Sequence, residues 1–254
     1  MKTIKIVLFL LIIKSIHAQQ ESIWNAHQTS FPNTFFNVFQ KAAFLPSGRG
    51  ALLGVQAVNY YSQSDCNGIY SVGWKWSDYS KWGAELGWVG NEVYSSRRMG
   101  MVGAQRITKE IVLGAKVGML QFRFPERSLF GYSWEMSASF SHHDHFALFW
   151  IQSNGPSSWW VSPPQGGCVW TYAISKQLMA SAGIMISPHQ HLRCHFAFCQ
   201  QSKEGWNWYC SVQPQGWGVS FGAHKQWSHL ILSWGISRNA LTFPSFQSSG
   251  IYVD

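Results

Sequence analysis

Charge is what this 254-residue chain has least of. Asp, Glu, Lys and Arg together make up 12% of it, about half the share in a typical soluble domain. That is too little to cover a water-facing surface, yet hydrophobic residues reach 46%. Long apolar runs are also missing: beyond residue 18 no stretch of 18 or more apolar residues occurs, which excludes a transmembrane helix. No G-x-x-x-x-G-K phosphate loop and no C-x-x-C pair is present. The five cysteines, Cys66, Cys168, Cys194, Cys199 and Cys210, are an odd number, so at least one thiol is free. These absences leave no coiled coil, helical membrane bundle, disulfide framework or disordered chain.

The abundant residues are aromatic: 15 Trp, 17 Phe and 9 Tyr, set among uncharged polar residues and 23 Gly. At the N-terminus, Lys2 and Lys5 precede the apolar run Ile6 to Ile13, and Ser15-Ile16-His17-Ala18 ends on a small residue. This reads as a secretory signal peptide over 1–18, cleaved near Ala18. Removing Lys2, Lys5 and Lys14 takes the basic residues from 19 to 16 against 11 acids, a net charge of +5. The charges are scattered, so no nucleic-acid surface is expected.

The rest of the chain alternates. Tyr70, Val72, Trp74 and Trp76 interleave with Ser71, Gly73 and Lys75; Trp82, Ala84, Leu86 and Trp88 with Gly83, Glu85 and Gly87. Tyr132, Trp134, Met136, Ala138 and Phe140 interleave with Ser133, Glu135, Ser137 and Ser139. Period-2 patterns mean strands with one apolar and one polar face. From 51–62 to 246–253 there are 14 of them. The connections alternate in length: one set holds 4, 4, 3, 2, 4 and 3 residues, the other 6, 5, 8, 13, 3, 2 and 8. An even strand count with short turns on one rim and longer loops on the other predicts an all-β fold, an antiparallel transmembrane β-barrel of about 14 strands. The division is 1–18 signal peptide, 19–50 a periplasmic plug segment or short helix, and 51–254 the barrel in the cell outer membrane. A soluble barrel would carry its charges outside. Trp76, Trp82, Tyr132, Trp170, Tyr172, Trp206 and Trp227, near segment ends, are expected to form interfacial girdles. The competing reading is a secreted, Trp-rich carbohydrate-binding β-protein.

The polar face would line a lumen. Lys75 and Glu85 face one another if 69–77 and 82–91 pair about a centre at 80, with Lys116 and Glu135 on a nearby hairpin. Arg193, His195 and His224 complete the expected lumen lining, and Trp159 and Trp160, on the 13-residue connection 154–166, are expected to constrict the mouth or touch a ligand. His142, His143, Asp144 and His145, and His189, His191 and His195, are metal-ligand types. Adjacent turn residues rarely converge on one ion, so solvated histidines are expected, with no metal and no cofactor. Glu85 and Glu135 stand too far apart in strand order for a two-carboxylate hydrolase, and no enzyme activity is expected.

The segment Phe39-Gln40-Lys41-Ala42-Ala43-Phe44-Leu45 resembles the Asn-Pro-Ala-x-Leu segment before the first strand of a group of Bacteroidota outer-membrane barrels, with Gln40-Lys41 standing where that group has Asn-Pro. The hairpin unit Met101 to Arg106 running into Ile111 to Gly118 is similar as well. The group surrounds the fatty-acid transporter FadL and the secretion-associated PorV and PorQ. The resemblance implies a barrel inserted by the barrel-assembly machinery into outer-membrane lipid. It implies either passive passage of a small or hydrophobic solute or a non-transporting scaffold for a secretion partner.

Overall fold

The computed structural model describes residues 41–45, 48–60, 67–91, 95–156, 164–187, 190–202, 204–214, 218–239 and 242–253. The expected signal peptide, residues 19–40 of the plug segment, and Trp159 and Trp160 lie outside the described residues.

The alternating segments form strands β1 (Gly50–Tyr60), β2 (Asn67–Trp76), β3 (Ser80–Gly90), β4 (Ser95–Arg106), β5 (Ile111–Arg123), β6 (Ser128–His142) and β7 (His145–Pro156). They continue as β8 (Gln165–Ala173), β9 (Leu178–Ser187), β10 (Gln190–Gln201), β11 (Trp206–Gln213), β12 (Gly218–Trp227), β13 (Leu230–Asn239) and β14 (Thr242–Val253). Each pairs antiparallel with its neighbours in sequence, and β1 also pairs with β14, from Leu52 opposite Val253 to Tyr60 opposite Ser245, so the sheet closes on itself. Both ends of the barrel lie on the short-turn rim, where Gly50 pairs with Trp76. Two-residue turns at 143–144 and 228–229 hold His143 (φ 50°) and Ser228 (φ 40°) in the left-handed region, the backbone that a tight hairpin demands.

The two faces are inverted relative to a soluble barrel. On β5, Ile111, Leu113, Val117 and Met119 are exposed, while Val112, Lys116, Leu120 and Phe122 are buried. On β6, Ser133, Glu135, Ser137 and Ser139 point inward and Tyr132, Met136 and Phe140 outward. Alternation sends successive side chains to opposite faces; closure then makes one face the interior and leaves the apolar one outside. The interior is filled towards the short-turn rim. Leu45, Leu52, Val72, Trp74, Trp76, Val102, Val112 and Ile231 pack into one apolar cluster, and Ala43, Phe146, Leu148, Trp150 and Val169 into another. Together they form an apolar floor.

Strand β2 corrects the expected orientation. The β2–β3 turn is Ser77 to Tyr79: the Ser77 N–H donates to Ser80 O at 2.8 Å, and the Ser77 hydroxyl accepts from the N–H groups of Tyr79 (3.4 Å) and Ser80 (3.3 Å). The turn therefore centres earlier than the expected pairing does. Trp76 sits opposite Lys81, Lys75 opposite Trp82 and Val72 opposite Glu85. Displacing the register by an odd number of residues exchanges the faces of a strand. Lys75 thus lies exposed on the outer wall, not in the lumen opposite Glu85. Trp74 and Trp76 point inward into the floor, so Trp76 is no girdle residue.

Candidate functional site: a charged collar above an apolar floor

Directly above the floor, β3 to β7 carry the interior charges. Glu85 on β3 receives the Arg98 guanidinium of β4 at 2.8 Å and the Lys116 ammonium of β5 at 3.3 Å, one on each carboxylate oxygen. Glu135 on β6 is directly opposite Lys116 in register, and it accepts an ion pair from Lys41 at 3.2 Å. Register aligns Glu85, Arg98, Lys116 and Glu135 on β3 to β6, and a stretch outside the sheet brings in Lys41, 94 residues before Glu135. An ion taken out of water is tolerable only when partners replace its hydration, and each carboxylate here has at least two.

Lys41 comes from the described stretch Lys41–Leu45, which lies against the inner wall. Its ammonium also donates to Gln152 Oε1 at 2.9 Å and stands 4.7 Å from the Trp150 ring centroid. The Ala42 N–H donates to Glu135 Oε1 (3.0 Å), the Ala43 N–H to Ser137 Oγ (2.9 Å), and Ser139 Oγ to the Ala43 carbonyl (2.7 Å). Gly114 makes this approach possible, since a Cβ there would come within 2.4 Å of Ala42 C and Ala43 N. Lys81 is fully buried. Its Nζ donates to the carbonyl oxygens of Phe44 and Lys41 and lies 4.4 Å from the Trp74 ring centroid. Carbonyl dipoles and an aromatic face replace water around this amine. The collar sets three ion-paired cations, Lys41, Arg98 and Lys116, against two carboxylates, Glu85 and Glu135. Its net charge is positive, which favours an anion and opposes a cation at this level of the interior.

The remaining expected lining residues fall on the other arc of the barrel. His195 on β10 is buried with its ring on Gly183 of β9, where a Cβ would meet the imidazole at 2.1 Å. Its Nε2 has no hydrogen-bond partner among the described residues. Arg193, half-buried, lies two residues before it on the same face. His224 on β12 is buried and its Nε2 meets Asn207 Nδ2 at 2.7 Å. His142 and His143 are exposed on the short-turn rim, where His142 Nδ1 pairs with Glu110 Oε1. Among the described residues no group of three or more His, Cys, Asp or Glu could hold a metal ion.

Sequence reasoning missed Lys41, Lys81, Arg98 and Gln152 as members of the collar. Lys81 was accessible from parity, because it stands four residues before Glu85 on one strand. Arg98 and Lys41 were not, since Arg98 meets Glu85 through the β3–β4 register and Lys41 meets Glu135 through the docking of a stretch outside the sheet. One motif was also passed over: Gly218-Val219-Ser220-Phe221-Gly222 has the spelling G-x-S-x-G. It runs straight along β12 instead of turning from a strand into a helix, and Ser220 Oγ shares a 2.7 Å hydrogen bond with Ser211 Oγ. It is no nucleophile elbow.

No family model and no curated protein matches this sequence. Solved structures do match. The chain resembles the Pseudomonas putida toluene transporter TodX with a TM-score of 0.60 at 9% identity, over 90% of this chain and 94% of that one. It resembles CymD, a monoaromatic hydrocarbon channel, with a TM-score of 0.64 at 8% identity, over 89% and 94% of the two chains. The likeness is one of fold. It extends over nearly the whole of each barrel, while the side chains of the collar have no counterpart that such identities could establish.

Proposed function

We propose that this chain is an outer-membrane β-barrel that provides a passive route for a small or hydrophobic solute. The observation that carries the reading is the inversion of faces on a closed sheet: apolar residues outside and a net-positive, ion-paired collar inside. An apolar outer wall with a polar interior suits a bilayer and a permeation path. Fold neighbours that are themselves a transporter and a channel support it. The reading includes export through the signal peptide, insertion by the barrel-assembly machinery and kinship with the FadL-like group.

The test is ion current through the folded protein in planar bilayers, with Glu85→Gln beside wild type. Loss of this carboxylate leaves the collar more positive, and the reversal potential in a salt gradient should move towards anion selectivity. Folded wild-type barrel that passes no current would overturn the channel reading. A scaffold for a secretion or surface-assembly partner is the second reading. The packed floor of Trp74, Trp76, Trp150 and Leu45 favours it, because side chains fill the short-turn end of the interior. That reading predicts no current and co-purification with one large partner.

A further inference from the structure

The outer wall carries a basic apolar groove on β2 to β6, on the arc that also holds the collar. Register builds it in rows. Ile69, Trp88, Arg97, Gln121 and Phe130 stand side by side across the five strands, each directly opposite the next. The row below it, towards the short turns, is Ser71, Leu86, Met99, Met119 and Tyr132. Between them these rows, Tyr132 apart, line a groove of about 590 Å³. Ile69, Leu86, Met99, Met119 and Phe130 are all exposed.

Arginine closes the end of the groove nearest the long-loop rim. Arg97 is exposed within its lining. Arg123 is exposed one row above, opposite Ser95 and Ser128. Arg127 follows in the next turn, its guanidinium 6.0 Å from the Phe124 ring centroid. Neither Arg97 nor Arg123 has an ion-pair partner among the described residues. Below them the outward side of β5 is apolar from Met119 through Val117, Ala115 and Leu113 to Ile111. At about 3.3 Å per residue and a tilt of about 40°, the stretch from Ile111 to Met119 covers about 20 Å of height, most of an apolar band. The arginines therefore stand at the level where headgroups begin.

We propose that this groove binds an anionic membrane lipid, with its phosphate on Arg97 and Arg123 and one acyl chain along Leu86, Met99 and Met119. The proposal rests on the membrane reading above. The chemistry is complementary in both halves. Two guanidinium forks match the oxygens of a phosphate, and the exposed apolar rows match a hydrocarbon chain. At headgroup level the two guanidinium groups stand where a lipid phosphate is within reach.

The experiment is native mass spectrometry of the full chain in dodecyl maltoside, with dioleoylphosphatidylglycerol or dioleoylglycerol added at equal concentration. The two probes share their chains and differ in the phosphate headgroup. Wild type should retain one phosphatidylglycerol per barrel and at least fivefold less dioleoylglycerol, and R97Q/R123Q should lose at least fivefold of the phosphatidylglycerol adduct. Equal retention of the two probes by wild type, which needs no variant to fold, would overturn the site. So would an undiminished adduct on a heat-modifiable R97Q/R123Q barrel. A wild-type chain that shows no heat-modifiable band overturns the membrane reading itself, a failure distinct from that of the lipid site.

Discussion

Replacing Glu135 by Gln changes one atom type and removes the charge that anchors Lys41. The pair spans 3.2 Å with both side chains almost fully buried. Breaking a buried pair from one side costs about 3 to 5 kcal/mol, because the surviving charge is left uncompensated. Lys41 retains Gln152 Oε1 at 2.9 Å and the face of Trp150, and the new amide oxygen can still accept from the Ala42 N–H, so the lower end applies. A loss of about 3 kcal/mol corresponds to more than a hundredfold in the unfolding equilibrium. Lys41→Met strands Glu135 in the same way and should cost a similar amount. The double variant K41M/E135Q strands neither charge, and its loss should be close to that of one single variant. Equilibrium unfolding in urea, followed by tryptophan fluorescence on barrels folded in detergent, measures all four corners of the cycle. The expected coupling is about 3 kcal/mol. Losses that add to within about 0.5 kcal/mol would show that the two residues do not stabilise one another, and would refute the account of how Lys41–Leu45 is held.

Three further outcomes follow from the geometry. Gly114→Val inserts a branched side chain where even a Cβ would meet Ala42 and Ala43 at 2.4 Å; it should release Lys41–Leu45 from the wall, and a thiol placed at Ala43 should then react with a maleimide at least tenfold faster. Gly183→Ala collides with the His195 ring at 2.1 Å and should destabilise the barrel by about 1 to 3 kcal/mol, as overpacking does, with His195→Ala restoring part of the loss in the same urea assay. Lys75→Gln should leave ion selectivity unchanged while Glu85→Gln shifts it, since Lys75 is on the outer wall; a shift of equal size from Lys75→Gln would place its side chain inside.

Strand existence and the alternation of faces were legible because both are local. Ser133, Glu135, Ser137 and Ser139 needed only their spacing to be placed on one side of β6, whereas the expected contrast in connection length is weaker in the structure, where 238–245 shortens to 240–241 as β13 and β14 extend. Register was not legible in the same way. The β2–β3 pairing turns on the hydrogen bonds of Ser77 with Tyr79 and Ser80, and a turn displaced by an odd step moved Lys75 outward and Trp74 and Trp76 inward. The charged collar was half visible: Glu85, Lys116 and Glu135 could be named as inward, but not Arg98 and Lys41, which complete the ion pairs.

The sequence by itself determined that this protein is a barrel of alternating strands, with too few charges for a soluble exterior, since period-2 patterning and composition act residue by residue. Only the tertiary structure decided which charges pair. Arg98 reaches Glu85 through the β3–β4 register, whereas Lys41 reaches Glu135 because the stretch Lys41–Leu45, which belongs to no strand, docks on the inner face of β6, and neither contact is written in local spacing.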